Sequence, residues 1–165
     1  MITSTRFITT VMSAVGLIGL GLGTGSASAE SANGVMVPLR ANYRSCDFTK
    51  LHYVSATGFG SGTSTISSDG STVSADVFLM IGQPNTPYQV RLIQGPLLGT
   101  QKCNAGDAGV TSAVLNTDGS GTGAVTLHAG LRSGATNAWV FIDGPPDVGQ
   151  IRGEFYTSEL LTSLK

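Results

Sequence analysis

Charged residues are scarce in this sequence, which has 9 Lys and Arg and 10 Asp and Glu among 165 residues. The densest basic stretch holds only Arg40, Arg44 and Lys50. A nucleic-acid-binding surface needs clustered cations that neutralise several phosphates, so we expect no nucleic-acid partner. No polybasic or strongly amphipathic segment predicts attachment to an anionic membrane surface either.

Histidine is scarcer still, since His52 and His128 are the only two. Neither belongs to a His-x-His or His-Glu-x-x-His motif, and a metal site needs several convergent ligands. Either one could act as a base beside a carboxylate such as Asp47 or Glu154, which keeps a hydrolase as an alternative function. The stretch Asn116–Ser120 begins like a calcium loop but lacks the bidentate Glu that such a loop requires. We therefore predict no metal and no cofactor.

Long runs with helical periodicity are missing from residues 30–165. Their absence excludes an alternating strand–helix architecture with a parallel sheet. The glycine-flanked Ser61 and Ser120 are not followed by a helix, which the nucleophile elbow of serine hydrolases needs. We predict no catalytic residue from these serines.

The first 29 residues have the order of features found in a secretory signal peptide. Arg6 precedes an apolar run over residues 7–22, and small residues follow up to Ala27-Ser28-Ala29. An uncleaved membrane anchor is the alternative, but the run is short, rich in glycine and not followed by stop-transfer charges. We expect cleavage after Ala29, no membrane insertion afterwards, and an exported bacterial protein that is secreted, extracellular or associated with the cell wall.

Cys46 and Cys103 are the only cysteines, and both lie in the part that we expect to be exported. Two cysteines of one small domain in an oxidising compartment usually pair, so we predict a disulfide bond between them. A catalytic or metal-binding thiol is the alternative, although neither cysteine lies in a Cys-x-x-Cys motif or close to a histidine.

Short runs of β-branched and apolar residues, separated by turn residues, predict strands throughout residues 30–165. The clearest is Thr72–Ile81, where Val73, Ala75, Val77 and Leu79 alternate with mostly polar residues. Six further segments have clear strand patterns: Gly62–Ser67, Pro87–Gln94, Thr111–Asn116, Gly121–Leu127, Asn137–Asp143 and Ile151–Tyr156. Two additional segments have weaker strand patterns, Val35–Leu39 and Leu51–Ala56.

These segments predict one all-β domain over residues 30–165. We expect an antiparallel β-sandwich of about eight strands, immunoglobulin-like or Greek-key, with one disulfide; a small barrel is the alternative. The last stretch, Ser158–Leu164, could be a helical turn, a strand end or a frayed tail.

Two Asp-Gly-Ser turns predict two tight hairpins. One turn lies at Asp69-Gly70-Ser71 and the other at Asp118-Gly119-Ser120. The flanking segments Ser64–Leu79 and Ser112–Leu127 are similar, which a duplicated hairpin or convergence on favourable turn chemistry would each explain.

A binding surface is predicted at the loop over residues 95–108 and at the last aromatic strands. The loop presents Leu97 and Leu98 without a polar interruption, and Trp139 is a further candidate for ligand contact. Alternatively, both leucines cap the open end of the core, and most of the aromatic residues belong to the core as well.

We therefore expect a secreted, monomeric, non-enzymatic binding protein. Its partner would be a protein, a glycan or another component of the cell envelope. A carrier of a small apolar ligand between the sheets is the first alternative, and a hydrolase that uses His52 or His128 is the second.

Overall fold

The computed structural model describes residues 34–164, which form nine antiparallel β-strands and contain no helix. The strands are β1 (Val35–Arg40), β2 (Ser61–Ser68), β3 (Thr72–Met80), β4 (Pro87–Gly95), β5 (Val110–Asn116), β6 (Gly123–Gly130), β7 (Asn137–Asp143), β8 (Phe155–Ser158) and β9 (Thr162–Ser163). Accordingly, this range holds no helix with the length and apolar character that crossing a bilayer requires. The predicted signal peptide lies outside the described residues.

The strands belong to one continuous hydrogen-bonded sheet in the order β5-β4-β7-β8-β1-β2-β3-β6, and β9 pairs with β7. The two edge strands, β5 and β6, follow each other in the chain and lie in contact. The sheet is therefore nearly barrel-shaped. The all-β antiparallel prediction is confirmed, whereas a division into two separate sheets is not.

The first predicted hairpin is confirmed. β2 and β3 pair in the register that places Thr65 opposite Asp76. Gly70, in the connecting turn, has a φ of 85°, a conformation that glycine adopts without steric cost. Local turn chemistry therefore determines the pairing of these two strands.

The second predicted hairpin is wrong, although both of its strands exist. β5 pairs with β4, and β6 pairs with β3. The turn itself forms, but Thr117 donates its backbone N–H to Thr86 O at 3.1 Å, and Gly82 donates its own to Gly121 O at 3.0 Å. Both sides of the turn are thus hydrogen-bonded to the connection between β3 and β4. From there β5 continues along the free edge of β4, and β6 continues along the free edge of β3. The segment Ser112–Leu127 therefore does not repeat the strand pairing of Ser64–Leu79.

Two further segments differ from their sequence predictions, and for a third the structure decides between the alternatives. Residues 151–154 of the predicted strand Ile151–Tyr156 lie in a loop, and β8 begins only at Phe155. Leu51–Ala56 forms no strand: Leu51 donates its backbone N–H to Tyr43 O, Val54 donates its own to Leu51 O, and the isolated bridge between Arg44 and Lys50 lies just before this stretch. Of the alternatives for the last stretch, the strand is correct, as β9 pairs with β7.

The main core fills the inside of the curved sheet. The alternation in β3 places Val73, Ala75, Val77 and Leu79 inward, each at most 2% exposed. These residues pack with buried side chains of the opposite half, which include Leu92 and other members of one cluster. Burial of this apolar surface is the main stabilising contribution to the fold.

A second apolar cluster lies on the outer face of β4, β7 and β8. It contains Ile93, Trp139, Phe141 and Phe155 and is covered by the segments 41–60 and 96–109. Tyr43 from the first covering segment packs edge-on against Phe141, with 5.3 Å between the ring centroids. This cover explains why the sequence of β7 is apolar on both faces, as expected for a strand without a solvent-facing side.

The predicted disulfide is confirmed. Cys46 and Cys103 are bonded, with their Cα atoms 5.7 Å apart. The bond joins the two covering segments to each other above the second cluster. Arg91, beneath this cover, donates from Nη1 to Cys103 O at 2.8 Å and lies 4.2 Å from the centroid of the Phe141 ring.

The Asp69 turn predicts a measurable pH dependence. Backbone hydrogen bonds from Thr72 and Ser71, together with their hydroxyls, hold the pKa of Asp69 well below its ordinary value of 3.8. Its stabilisation is therefore present above the unfolded pKa and is lost as the pH falls below it. We expect Asp69→Asn to flatten the decrease in Tm between about pH 5 and about pH 2. Parallel pH curves for the variant and the wild type would contradict this assignment.

Candidate functional site

A groove on the outside of the sheet lies between two loops that connect strands. The segment 51–60 leads into β2, and the segment 144–154 connects β7 to β8. The groove has two adjoining compartments of about 390 Å³ and about 530 Å³, which share Thr57, Gln150 and Arg152 as lining residues. Each volume lies within the range of roughly 300–1,000 Å³ that small-molecule sites occupy. We call this feature the loop groove.

Large apolar side chains line or border the loop groove and are almost fully exposed. Tyr53 is 83% exposed and Phe59 is 97% exposed on one loop, and Ile151 is 95% exposed on the other. Val148 follows Asp147 in the second loop and is completely exposed. Apolar side chains concentrated in this way are typical of interaction sites, whereas single exposed ones are common on any surface.

Glycines hold Phe59 in this position. A Cβ atom at Gly58 or Gly60 would overlap the hydroxyl of Tyr156, so neither position has room for a side chain. The backbone N–H of Gly60 donates to that hydroxyl at 3.0 Å. The loop is therefore pressed against β8, and the Phe59 ring points to solvent on a restrained backbone.

The floor of the loop groove carries a carboxylate that two tyrosines orient. Glu154 Oε2 accepts hydrogen bonds from the hydroxyls of Tyr88, at 2.5 Å, and Tyr156, at 2.9 Å. The backbone N–H of Gln83 lies 3.3 Å from the same oxygen. Among the described residues no group donates to Oε1 of Glu154, and Glu154 lines the groove.

Burial raises the pKa of both tyrosines well above the ordinary phenol value. For Tyr88 the hydrogen bond to Glu154 raises it further, and for Tyr156 the negative charge of Glu154 does so. Both hydroxyls therefore remain protonated at any physiological pH and act as hydrogen-bond donors to the carboxylate. The two phenols therefore hold the Glu154 side chain in one orientation through their hydrogen bonds.

Polar groups between the apolar side chains complete the lining. Gln83 donates from Nε2 to both carboxylate oxygens of Asp147, at 3.1 and 3.2 Å. Arg152 stacks on the ring of Tyr43, with Cζ 4.3 Å from the ring centroid. The loop groove thus combines exposed rings with held carboxylate and guanidinium groups.

The sequence-predicted binding residues lie elsewhere, in and beside the second cluster. Leu97 is 9% exposed and Trp139 is 1% exposed, and both belong to that cluster. Leu98 is 68% exposed. The structure brings Leu97 and Trp139 together in one buried cluster, whereas the alternative that both leucines cap the core fits Leu97 only; a binding role for all three stays a prediction.

The two histidines lie on different elements of the fold, one on a strand and one in a connecting segment. His128 lies on exposed β6 opposite Ser74 of β3, and His52 lies in the segment 51–60. Among residues 34–164, neither histidine forms a hydrogen bond or ion pair with Asp47 or Glu154, and no cluster of potential metal ligands occurs. In the stretch Asn116–Ser120, which begins like a calcium loop, the carboxylate of Asp118 accepts three hydrogen bonds from its own turn.

Sequence reasoning missed the loop groove. The alternation of Ile151, Gly153 and Phe155 predicted a strand there, and this prediction gave no indication that the Ile151 side chain is exposed. The available signals were the aromatic residue between two glycines at 58–60 and the strand-stopping Gly144-Pro145-Pro146.

Comparisons with protein-family models, curated proteins and solved structures found no match to this chain.

Proposed function

We propose that this chain is a secreted, non-enzymatic binding protein, exported by a cleaved signal peptide, that acts at or outside the cell envelope through the loop groove. The observation that carries the proposal is the exposure of Tyr53, Phe59 and Ile151 around one concave surface. A side chain as large as Phe59 gains little for folding at 97% exposure, so its placement there fits ligand contact.

A rigid frame supports the same proposal. Binding loops are most effective when a scaffold that does not move holds them in place. We propose that the two halves of the sheet pack as a sandwich; inward residues of β4 and β7, such as Leu92 and Val140, share one buried cluster with Ile66 and Val77 of β2 and β3. The disulfide restrains the segment that leads to Tyr53.

The proposal predicts co-sedimentation with envelope material. Purified protein mixed with the insoluble envelope fraction of its producing cells is expected to sediment with it and to give a saturable binding curve. Phe59→Ala should weaken that binding about tenfold, as truncation of a central aromatic contact commonly does. The comparison variant is Leu98→Ala, which tests the other predicted binding loop; if the loop groove is the binding surface, this variant should leave the binding curve unchanged.

Two results would contradict the proposed function. One is failure of the wild-type protein to bind the envelope fraction at any concentration. The other is an equal loss of binding in Phe59→Ala and Leu98→Ala, which would show that the loop groove has no special part.

A further inference from the structure

We infer that the loop groove binds an uncharged polysaccharide, with Tyr53 and Phe59 stacking on sugar rings and Glu154 accepting a hydrogen bond from a sugar hydroxyl. This inference names the ligand class of the proposed function and rests on it. Three features of the groove carry it: the exposed rings, the held carboxylate and the balance of charge.

The exposed rings suit the apolar faces of sugars. The face of an aromatic ring is electron-rich, so it attracts the weakly positive C–H groups on one side of a pyranose ring. Tyr53 lines one compartment of the groove and Phe59 the other. Two rings in adjoining compartments can therefore contact successive sugar units of one chain. An aromatic side chain also loses little conformational entropy on binding.

The held carboxylate suits a sugar hydroxyl. Both phenols and a backbone amide orient Glu154 through Oε2, which leaves Oε1 without a donor among the described residues, on a side chain that lines the groove. An acceptor that is ordered before binding loses little entropy when the ligand arrives. Sugar hydroxyls supply donors to such groups, whereas an apolar protein surface would desolvate the carboxylate without compensation.

The charges in the groove favour an uncharged chain. Asp147 and Glu154 contribute two negative charges, and Arg152 contributes one positive charge that already stacks on Tyr43. A polyanionic polysaccharide would meet net repulsion at short range. The core of a protein–protein interface is depleted of charged residues, so three charged side chains in the lining of the groove disfavour a protein partner.

The test uses envelope polysaccharide freed of protein and lipid. The insoluble envelope fraction of the producing cells is extracted with hot detergent and digested with protease, and binding is then compared before and after this treatment. We expect wild-type binding to be retained within about twofold. We expect Tyr53→Ala and Phe59→Ala to bind the treated material about tenfold more weakly, with Leu98→Ala unchanged.

A second arm tests the hydrogen-bond acceptor. Glu154→Gln keeps the size of the side chain but removes the negative charge that strengthens a hydrogen bond from a sugar hydroxyl, so binding to the treated material should weaken several-fold. The Tm of the variant, measured alongside, checks that the cluster with Tyr88 and Tyr156 keeps its fold. Digestion of the treated material with glycoside hydrolases should release bound wild-type protein. Failure of the hydrolases to release it would overturn the inference.

The outcomes separate this inference from the proposed function. Binding to the untreated fraction that disappears after detergent and protease would identify a protein or lipid partner, and it would overturn the polysaccharide inference while the proposed function stands. Absence of binding to the untreated fraction would overturn both.

Because Phe59 is almost fully exposed, its truncation should not unfold the protein.

Discussion

Removing the disulfide bond between Cys46 and Cys103 is expected to lower the free energy of unfolding by about 4 kcal/mol. The bond closes a loop with a sequence separation of 57 residues, and the chain-entropy model assigns roughly this stabilisation to a loop of that length. Small domains are stable by only about 5–15 kcal/mol, so the loss is a large part of the total.

The structure also predicts where the loss is felt. The bond connects the two segments that cover the second cluster, and Cys103 itself is only 7% exposed within that cluster. Without the bond the cover over Trp139 is held by packing, here by the ring of Phe48 at a centroid distance of 5.4 Å, and by hydrogen bonds such as that from Arg91 to Cys103 O. We therefore expect the indole fluorescence to report unfolding at lower denaturant in the reduced protein.

The measurement is denaturant unfolding of the oxidised protein, the reduced protein and a Cys46→Ala/Cys103→Ala double variant. The reduced protein and the double variant should have similarly lowered midpoints, and reductant should not affect the double variant. A difference of less than about 1 kcal/mol between oxidised and reduced protein would show that the bond contributes little to stability.

Trp139→Ala is the second substitution with a large expected effect, a loss of about 3–5 kcal/mol. Trp139 is 1% exposed and packs against Phe48 and Phe141. Truncation removes the apolar surface that the indole buries and leaves a cavity that the surrounding rings fill only partly. The measurement is the free energy of unfolding in denaturant.

The matched control for Trp139→Ala is Phe59→Ala, which also truncates an aromatic ring. Phe59 is 97% exposed, so its replacement should change stability by no more than about 0.5 kcal/mol. The two variants therefore separate a core role from a surface role. If Trp139→Ala were as stable as Phe59→Ala, the second cluster would not be a core.

Local patterns predicted the parts of the fold that depend on neighbouring residues. The strand Asn137–Asp143 has the predicted bounds, and the first hairpin follows from its Asp-Gly turn. The disulfide followed from two cysteines in a chain expected to be exported. Each of these predictions needed only a short window or a residue count.

Pairings that depend on distant residues could not be predicted in this way. The identical turn chemistry at Asp118 suggested a hairpin, but the free edges of β3 and β4 pair with β6 and β5 instead. Strand register and turn propensity describe one pair of successive strands, whereas the closure of a sheet depends on which strand edges remain unpaired.

The candidate site was hidden for the same reason. The loop groove joins the segments 51–60 and 144–154, which are far apart in sequence and lack periodicity. The outward position of Phe59 results from the packing of Gly58 and Gly60 on Tyr156, a contact that no local pattern encodes. Trp139 is buried beneath the two covering segments, and its binding role stays a prediction.

Amide hydrogen exchange of the protein bound to the insoluble envelope fraction tests the central claim most directly. Compared with free protein, the bound protein should show slower exchange in peptides that span residues 51–60 and 147–154. Protection confined to peptides around Leu98, with no change in either of those segments, would contradict the claim that the loop groove is the binding surface.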